Sequence, residues 1–259
     1  MIPRIAIAGG DGRMGRVLID LVSRSDALQL AAVSAPAGAP VEAVPGELCF
    51  TSAGDALAAA DVFVDFTSPE AIAEHAKAVV ATHTAWVLGT TGLNGAQQAL
   101  VEDAARSVAV CQAANFSTGV TLMLKLAELA ARAVDADTDL EIIEAHHRHK
   151  VDAPSGTALA LGRALAAGRG VDLDERAVFC REGITGERPD GAIGFATVRG
   201  GDIVGDHTVL FASEGERLEI THRAGTREAF ARGALRAAHW LQQQPPGLYN
   251  MHDVLKLNT

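Results

Sequence analysis

The chain has 259 residues, of which 48% are hydrophobic and 21% are charged, and its formal net charge is -10 at pH 7. This composition is too apolar for a disordered chain, and the acidic balance argues against a general binder of nucleic acid or of anionic membranes. The length suffices for one large domain or two modest ones, and we expect two.

The first 117 residues alternate short apolar runs with longer helical patterns. The runs are IAIAG (5–9), LQLAAVS (28–34), VFVDF (62–66), AWVLG (85–89) and VAVCQA (108–113). Helices are predicted between them at 13–24, 69–82 and 94–106, and Ser68 before Pro69 is the expected cap of the one at 69–82. Continuous apolar runs are typical of strands buried on both faces of a parallel sheet. The order predicts an α/β fold that begins with a Rossmann-like, doubly wound parallel sheet.

After residue 117 the pattern changes. A helix is predicted at TLMLKLAELAARAV, a strand at LEIIEAHH, and another helix at ALALGRALAAG that Gly168 is expected to close. Strand patterns separated by polar breaks follow: AVFCRE, IGFATVR, IVGDHTVLFAS and RLEITHRA. Such a series indicates an antiparallel or mixed sheet. We expect a C-terminal α+β domain over residues 118–226, and then a helix at TREAFARGALRAAHWL that the pattern alone assigns to neither domain.

The cysteines and the apolar runs bear on location. Cys49, Cys111 and Cys180 are odd in number, widely spaced and without metal-type pairing, which indicates free thiols in a reducing compartment. No apolar run reaches the roughly 18 residues of a membrane span, and the N-terminus leads directly into a strand pattern without a signal peptide. We expect a cytoplasmic protein with no membrane and no nucleic-acid partner.

Three glycines mark the turn after the first predicted strand. IAIAGGDGRMGR places Gly10, Gly12 and Gly15 in G-x-G-x-x-G register at the opening of a helix. Glycines let the backbone approach a pyrophosphate, and the helix N-terminus offers N–H groups and partial positive charge. We predict a dinucleotide-binding domain over residues 1–117, and the alternative is a tight βα turn without a ligand. Residues 34–37 (SAPA) carry neither an acidic residue for the ribose nor a cation for a 2′-phosphate, so NADH and NADPH both stay open.

Two further strand ends carry small and polar residues. GTTG (89–92) follows one apolar run and AANF (113–116) follows another. Ligands in doubly wound sheets collect at the carboxyl ends of the strands. The hydroxyls, the amide and the aromatic ring suit a nicotinamide, and the alternative for each segment is an ordinary polar loop.

A cluster of cationic and histidine side chains precedes a helix start. LEIIEAHHRHK ends a predicted strand with His146, His147, Arg148, His149 and Lys150, and PSGTA then begins a helix with Ser155 as its expected cap. Side-chain cations facing a helix N-terminus predict a site for a carboxylate or a phosphate. Histidine or lysine could also donate a proton there.

Two alternatives compete for this cluster. Adjacent strand histidines point to opposite faces, and the flanking lysine and arginine would repel a cation, so we expect no metal. The other alternative is a solvated basic strand end without a function.

Together these motifs resemble the bacterial dihydrodipicolinate reductases. The resemblance is carried over nearly the whole chain, in the family's order, by AGGDGRMG (8–15), VFVDFTSPE (62–70), GTTG (89–92), AANFSTGV (113–120), EAHHRHKVDAPSGTA (144–158), REGITGER (181–188) and IGFATVRGGDIVGDHTV (193–209). It implies that hydride from NADH or NADPH reduces the cyclic product of the preceding synthase, a small dicarboxylate, to tetrahydrodipicolinate in lysine and diaminopimelate biosynthesis. Where the family carries a polar pair, this chain has Ala35 and Pro36, so the choice of cofactor is not implied.

The resemblance also implies roles for individual residues. His146 is the expected proton donor, and Lys150 assists it. The residues expected to bind the substrate are His147, Lys150, Ser155, Gly156 and Thr157. The residues expected to contact the cofactor are Gly9, Gly10, Asp11, Gly12, Arg13, Met14, Gly89, Thr90, Thr91, Ala113, Ala114, Asn115, Phe116 and Arg227.

For the architecture, the resemblance implies that residues 227–259 return to the dinucleotide-binding domain. It further implies that residues 118–226 bind the substrate and form a homotetramer through their sheets, and that the two domains close over the substrate. Two rival functions stay open. One is another two-domain NAD(P)-dependent amino-acid dehydrogenase, which would have no need of HHRHK beside PSGTA, and the other is a non-catalytic dinucleotide-binding sensor.

Overall fold

The computed structural model describes residues 2–39, 41–42 and 44–258. The chain divides into two compact units. Unit 1 consists of Met1–Thr118 and Arg227–Thr259, and unit 2 consists of Gly119–Thr226. Unit 2 is therefore an insertion between the two chain segments that build unit 1.

The regular elements are numbered in chain order. The strands are β1 Arg4–Ala8, β2 Gln29–Ser34, β3 Cys49–Phe50, β4 Val62–Asp65, β5 Ala85–Leu88, β6 Ala109–Gln112, β7 Asp139–His146, β8 Ala177–Val178, β9 Ile193–Arg199, β10 Gly205–Ser213, β11 Glu216–Ala224 and β12 Gly247–Tyr249. The helices are α1 Arg13–Ser23, α2 Ala53–Leu57, α3 Ile72–Thr82, α4 Gly95–Ala105, α5 Thr118–Ala133, α6 Gly156–Arg169, α7 Leu173–Arg176, α8 Glu228–Leu241 and α9 Met251–Leu255, with short 3-10 turns at Gly46–Leu48 and Pro69–Ala71.

The sheet of unit 1 is parallel and has the order β12-β6-β5-β4-β1-β2-β3. Alternate residues of each central strand enter separate cores, because side chains on a strand alternate between the two faces. In β1, Ile5 and Ile7 pack with α1 and α8, whereas Ala6 and Ala8 pack with α2, α3 and α4. Because both faces of the central strands are buried, their sequences are continuous apolar runs. The predicted Rossmann-like sheet is confirmed.

The sheet of unit 2 is mixed and has the order β11-β10-β7-β9-β8. Strand β7 pairs antiparallel with β10 and parallel with β9. One face packs on α5 and α6 through residues such as Leu140, Ile142 and Phe211. The opposite face leaves Ile143 and Val198 41% and 49% exposed. The predicted mixed sheet of an α+β domain is confirmed.

The end of α6 differs from the prediction. The helix continues past Gly168 and ends at Gly170, which adopts a left-handed φ of 68°. A Cβ atom on Gly168 would lie 2.4 Å from the carbonyl oxygen of Glu128 and 2.8 Å from Cβ of Ala131. Gly168 therefore permits close packing of α6 on α5, and Gly170 supplies the helix stop.

Two other local predictions were wrong in part. Ser68 occupies the cap position before Pro69, but its hydroxyl bonds to Glu70 instead of a backbone N–H, and a 3-10 turn precedes α3. The strand expected at AVFCRE is limited to Ala177–Val178. Beyond it the chain leaves the sheet, and Arg181 folds back onto Glu141 of β7 with two hydrogen bonds of 2.9 and 2.7 Å.

The last segment of the chain completes unit 1. Helix α8 packs with α1 and the central strands, and β12 adds a parallel strand beside β6. A Cβ atom on Gly233 of α8 would lie 1.7 Å from the carbonyl oxygen of Phe116, so only glycine allows this close approach. Across the described parts of the chain, no helix combines the length and the apolar character needed to span a membrane.

Candidate active site

The turn after β1 wraps tightly around the start of α1. Gly9 has φ +66°, and a Cβ atom on Gly15 would lie 2.1 Å from the carbonyl oxygen of Gly9. A Cβ atom on Gly10 would overlap Val33 of β2 at 2.1 Å. Gly12 is exposed, and no side chain caps the helix that it begins. The turn thus offers an uncapped and accessible helix N-terminus, which fits the pyrophosphate of a dinucleotide.

The side chains around this turn are accessible. Arg13 is exposed, and Asp11 and Met14 are half-buried. These three side chains lie close enough to the helix start to contact a ligand bound there. At the end of β2, the side chains of Ala35 and Pro36 offer neither a hydrogen-bond donor nor an acceptor to a ribose.

The other two strand ends of unit 1 lie beside each other through aromatic packing. A Cβ atom on Gly89 would lie 2.2 Å from the Phe66 ring, and that ring contacts Phe116 edge-on at a centroid distance of 5.4 Å. Thr91 is exposed, whereas Thr90 is buried. The segments GTTG and AANF therefore belong to one edge of the sheet, as their positions after β5 and β6 predict.

A fully buried carboxylate at this edge of the sheet forms hydrogen bonds to several neighbouring residues. Asp65, the last residue of β4, accepts hydrogen bonds from the backbone N–H and hydroxyl of Thr67 and, at 3.4 Å, from the hydroxyl of Thr90. Its other oxygen lies 2.7 Å from Nδ1 of His75. Burial opposes ionisation of Asp65, but the bonds from His75 and Thr67 outweigh it and lower the pKa of the carboxyl.

The remaining predicted cofactor residues lie on the described surface of unit 1. Ala113 is half-buried and Ala114 is exposed. Asn115 accepts the Ser117 N–H at 2.8 Å through its side-chain oxygen. Arg227 is exposed and stands at the start of α8.

In unit 2, the first histidine of the cluster is held by a buried carboxylate. Nδ1 of His146, the last residue of β7, lies 2.6 Å from a carboxylate oxygen of Glu144. Glu144 also accepts both Nη groups of Arg199 at 2.7 and 2.8 Å and the N–H of Ser155 at 3.0 Å. Burial alone would raise the pKa of Glu144, but the bonds from Arg199, His146 and Ser155 lower it to about 2. The ionised carboxylate can only accept, so Nδ1 of His146 carries a proton and Nε2 is the nitrogen free to exchange one.

A second buried histidine lies behind the helix start. His207 of β10 contacts His146 edge-on at a centroid distance of 5.1 Å, and its Nε2 lies 3.0 Å from the hydroxyl of Ser155. The Ser155 hydroxyl accepts the N–H of Ala158 and so caps α6, as predicted. Burial first, and then the charge of His146, lower the pKa of His207 to about 4. His207 is therefore neutral at physiological pH.

The rest of the predicted substrate residues lie on the turn after β7 and at the start of α6. Lys150 donates to the carboxylate of Asp152 at 2.7 Å, and its backbone N–H bonds to the His147 carbonyl. The N–H of His147 donates to Ile203, which places the turn after β7 against the loop before β10. Gly156 is exposed, and Thr157 is half-buried. Arg148 and His149 are also exposed.

Four residues of this site were not predicted from the sequence. Glu144 could have been found, because residues two apart on a strand share a face and Glu144 therefore points with His146. Arg199 and His207 come from β9 and β10, and no local pattern links them to the cluster. Gly205 is the fourth, since a Cβ atom there would lie 3.0 Å from Nε2 of His146. The absence of a side chain at Gly205 therefore avoids a close contact with Nε2 of His146.

No set of three or more histidine, cysteine, aspartate or glutamate side chains suited to a metal ion occurs in residues 2–39, 41–42 and 44–258. The arrangement in unit 2 combines an imidazole oriented by a carboxylate, a helix N-terminus and a lysine, which suits an anionic substrate.

Comparisons with known proteins find matches to both units of the chain. Residues 3–116 match the family model described as dihydrodipicolinate reductase, N-terminus, and residues 119–255 match that described as dihydrodipicolinate reductase, C-terminus. A 4-hydroxy-tetrahydrodipicolinate reductase from Alkalilimnicola ehrlichii is 56% identical, over 99% of this chain and 100% of the relative. One from Thiobacillus denitrificans is 53% identical over the same shares.

Among solved structures, a dipicolinate-bound dihydrodipicolinate reductase from Paenisporosarcina sp. TG-14 is similar. The two share a TM-score of 0.78 and 28% sequence identity over 96% of this chain and 98% of that one. A probable dehydrogenase from Thermotoga maritima, at 12% identity and a TM-score of 0.61, shares the fold alone.

Proposed function

This chain belongs to the dihydrodipicolinate reductase family, and we propose that it transfers hydride from NADH or NADPH to the cyclic precursor of tetrahydrodipicolinate. One observation carries the proposal: His146 is oriented by Glu144, which also bonds to the start of α6. This arrangement suits protonation of a substrate held by its carboxylates. The relatives are named as reductases of 4-hydroxy-tetrahydrodipicolinate, and the product would serve lysine and diaminopimelate biosynthesis.

We assign the cofactor to the strand ends of unit 1. The turn from Gly9 to Met14 would hold the pyrophosphate, because its glycines and the uncapped start of α1 leave backbone N–H groups accessible. Segments 89–91 and 113–116, with Arg227, would hold the nicotinamide half. The reduced nicotinamide, when bound, supplies the hydride. Asp65 keeps Thr67 and Thr90 in place at this edge.

His146 is the proposed proton donor. Its Nδ1–H stays bonded to Glu144, so a proton leaves from Nε2 and the neutral imidazole that results keeps its orientation. Arg199 holds Glu144 through two bonds and so prevents the carboxylate from rotating away. The proton neutralises the substrate atom that becomes electron-rich when hydride is added.

The substrate carboxylates are assigned to the start of α6. Ser155, Gly156 and Thr157 place a hydroxyl and backbone N–H groups there, and the positive end of the helix dipole favours an anion. Lys150 and His147 would add cationic or donor groups from the adjoining turn. Lys150 is paired with Asp152, and we propose that it exchanges this partner for a substrate carboxylate while it assists His146.

A coupled assay tests the proposal. The substrate is generated freshly from pyruvate and aspartate semialdehyde by the preceding synthase, and absorbance of the reduced nicotinamide is followed with NADH and with NADPH. We expect absorbance to fall only when the synthase and this protein are both present. His146→Gln should abolish most turnover and retain NADH binding. Folded protein that consumes neither cofactor would overturn the proposal.

The same assay separates the rival functions. An amino-acid dehydrogenase would oxidise the cofactor with a 2-oxo acid and ammonia in place of the synthase product. A sensor would bind NADH with no turnover under any of these conditions. Since Ala35 and Pro36 give no polar contact for the ribose end, we expect the rates with NADH and NADPH to differ by less than about tenfold.

We further propose a homotetramer formed through the open face of the unit 2 sheet. Ile143 and Val198 are exposed on the same face of two paired strands, and this apolar surface is the basis of the proposed interface. Light scattering should give a tetramer mass for the wild type and a smaller mass for Ile143→Glu. Equal masses for the two proteins would overturn this assignment. The three cysteines are free thiols, which suits the cytoplasm.

A further inference from the structure

His207 lies outside the residues that the proposed mechanism uses, yet it is almost fully buried within the site. It is 4% exposed, and Ser155 beside it is 2% exposed. Its Nε2 lies 3.0 Å from the Ser155 hydroxyl oxygen. Its Nδ1 is buried and finds no hydrogen-bond partner among the residues that the structure describes. Such a half-satisfied polar group in a native site calls for an explanation.

The unpaired nitrogen fixes the tautomer of the neutral ring. A neutral imidazole has one N–H donor and one bare nitrogen. Buried donors without a partner are rarer in proteins than acceptors that lack one. The bare nitrogen is therefore Nδ1, and Nε2–H donates its hydrogen to the oxygen of Ser155.

This donation decides what the Ser155 hydroxyl can do. A serine oxygen has two lone pairs, and here the N–H of Ala158 fills one while Nε2–H of His207 fills the other. The hydroxyl hydrogen must then be donated to a third group. Among the described residues, the Ser155 hydroxyl has no hydrogen bond besides those from Ala158 and His207, so its hydrogen is available to a group that enters the site.

We propose that His207 is a positioning residue that makes the Ser155 hydroxyl an obligate donor to a substrate carboxylate. The inference rests on the proposed function and names a determinant of its substrate class. Without His207, the serine hydroxyl could accept as well as donate, and the helix start would lose its preference for a group that only accepts. A carboxylate is the common acceptor-only group, and bonds to it are charge-assisted.

Matched substitutions of His207 test the proposal by steady-state kinetics of the full-length protein. His207→Leu removes the donor at similar volume, whereas His207→Gln carries an amide N–H where Nε2 lies. We expect His207→Leu to raise KM for the substrate about tenfold, as loss of one charge-assisted hydrogen bond predicts, with kcat changed less than threefold. His207→Gln should recover most of the loss. Equal defects in the two variants, or a fall in kcat at constant KM, would overturn the proposal.

A double-mutant cycle adds a second criterion. Ser155→Ala should raise KM by a similar factor, and combining it with His207→Leu should add nothing, because both changes remove the same bond. If the increase in KM of the double variant equals the product of the two single increases, His207 acts independently of Ser155.

The tautomer can be measured even if a variant fails to fold. Nitrogen-15 NMR of the wild-type imidazoles distinguishes a proton on Nε2 from one on Nδ1. We expect Nε2–H for His207, and a proton on Nδ1 would overturn the proposal. Failure of the proposed function would be seen separately as absence of wild-type turnover. In that case two measurements still decide the role of His207. One is the NMR result, and the other compares how tightly the wild type and His207→Leu bind dipicolinate, an unreactive dicarboxylate.

Discussion

Nδ1 of His146 lies 2.6 Å from the carboxylate of Glu144, two residues earlier on the same strand. The two side chains share the inward face of β7 because strand side chains alternate. By accepting a hydrogen bond from Nδ1, the Glu144 carboxylate fixes the orientation of the His146 ring. Its removal should therefore affect the chemical step more than substrate binding.

The first prediction concerns Glu144→Gln. We expect kcat to fall at least about tenfold, because the imidazole loses the acceptor that fixes its orientation. Stability should also fall, since Arg199 loses its charged partner. Kinetics and denaturant unfolding measure the two effects. The control is Glu141→Gln, which removes another arginine-paired carboxylate from β7 outside the site and should lower stability alone. Equal losses of kcat in both variants would contradict the prediction.

The second prediction concerns acid. His207 has a pKa of about 4 when folded and 6.5 as its ordinary value, so below pH 6.5 the unfolded chain binds a proton that the folded chain does not. The free energy of unfolding should therefore fall by up to roughly 3 kcal/mol as pH drops from 6.5 to 4. Glu144, with its pKa lowered to about 2, adds a further loss only below about pH 4.5.

This acid effect can be isolated by substitution. His207→Gln does not titrate, so denaturant unfolding at pH 7 and pH 5 should show a smaller difference than in wild type. His239→Gln, at an exposed site on α8, should keep the wild-type difference. Parallel pH curves for wild type and His207→Gln would refute the assignment.

The third prediction concerns space beside the proton donor. Gly205→Ala places a Cβ atom 3.0 Å from Nε2 of His146, so the ring must shift or the approach of the substrate is obstructed. We expect kcat to fall about tenfold, because small displacements of a reacting group are costly. Gly200→Ala is the matched control, since its Cβ would meet nothing within 4 Å. Wild-type kinetics in Gly205→Ala would show that this space is not used.

The fourth prediction concerns the glycine turn. Gly15→Ala would place a Cβ atom 2.1 Å from the Gly9 carbonyl oxygen and 2.9 Å from Cα of Gly10, so the backbone of the turn must move. NADH affinity, measured by fluorescence titration, should drop at least about tenfold. Gly95→Ala, where the new Cβ meets nothing within 4 Å, should bind NADH as wild type does. Unchanged binding in Gly15→Ala would exclude the turn as the cofactor site.

Much of the fold could be predicted from short-range pattern. The continuous apolar runs of unit 1 mark strands buried on both faces, and Ser155 precedes α6 in a typical cap sequence. The family was also predicted from motifs, and the matches over residues 3–116 and 119–255 confirm it. These features depend on residues close together in the chain.

What could not be predicted depends on distant partners. Gly168 looks like a helix stop, and only the proximity of α5 explains why it lies inside α6. Arg199 reaches Glu144 from 55 residues away, and His207 reaches Ser155 from 52 residues away. Their roles follow from the pairing of β9 and β10 with β7, which no local pattern specifies.

The interrupted course of unit 1 has a consequence for synthesis on the ribosome. Unit 2 is contiguous from Gly119 to Thr226, so its core can close as soon as that stretch has emerged. The core of unit 1 includes Ala231, Ala234 and Leu241 of α8, which are translated more than a hundred residues after Thr118. The first six of the seven strands of the parallel sheet, β1 to β6, must therefore keep an apolar face uncovered until almost the whole chain has been translated. The nascent chain should thus gain protease resistance in unit 2 before unit 1.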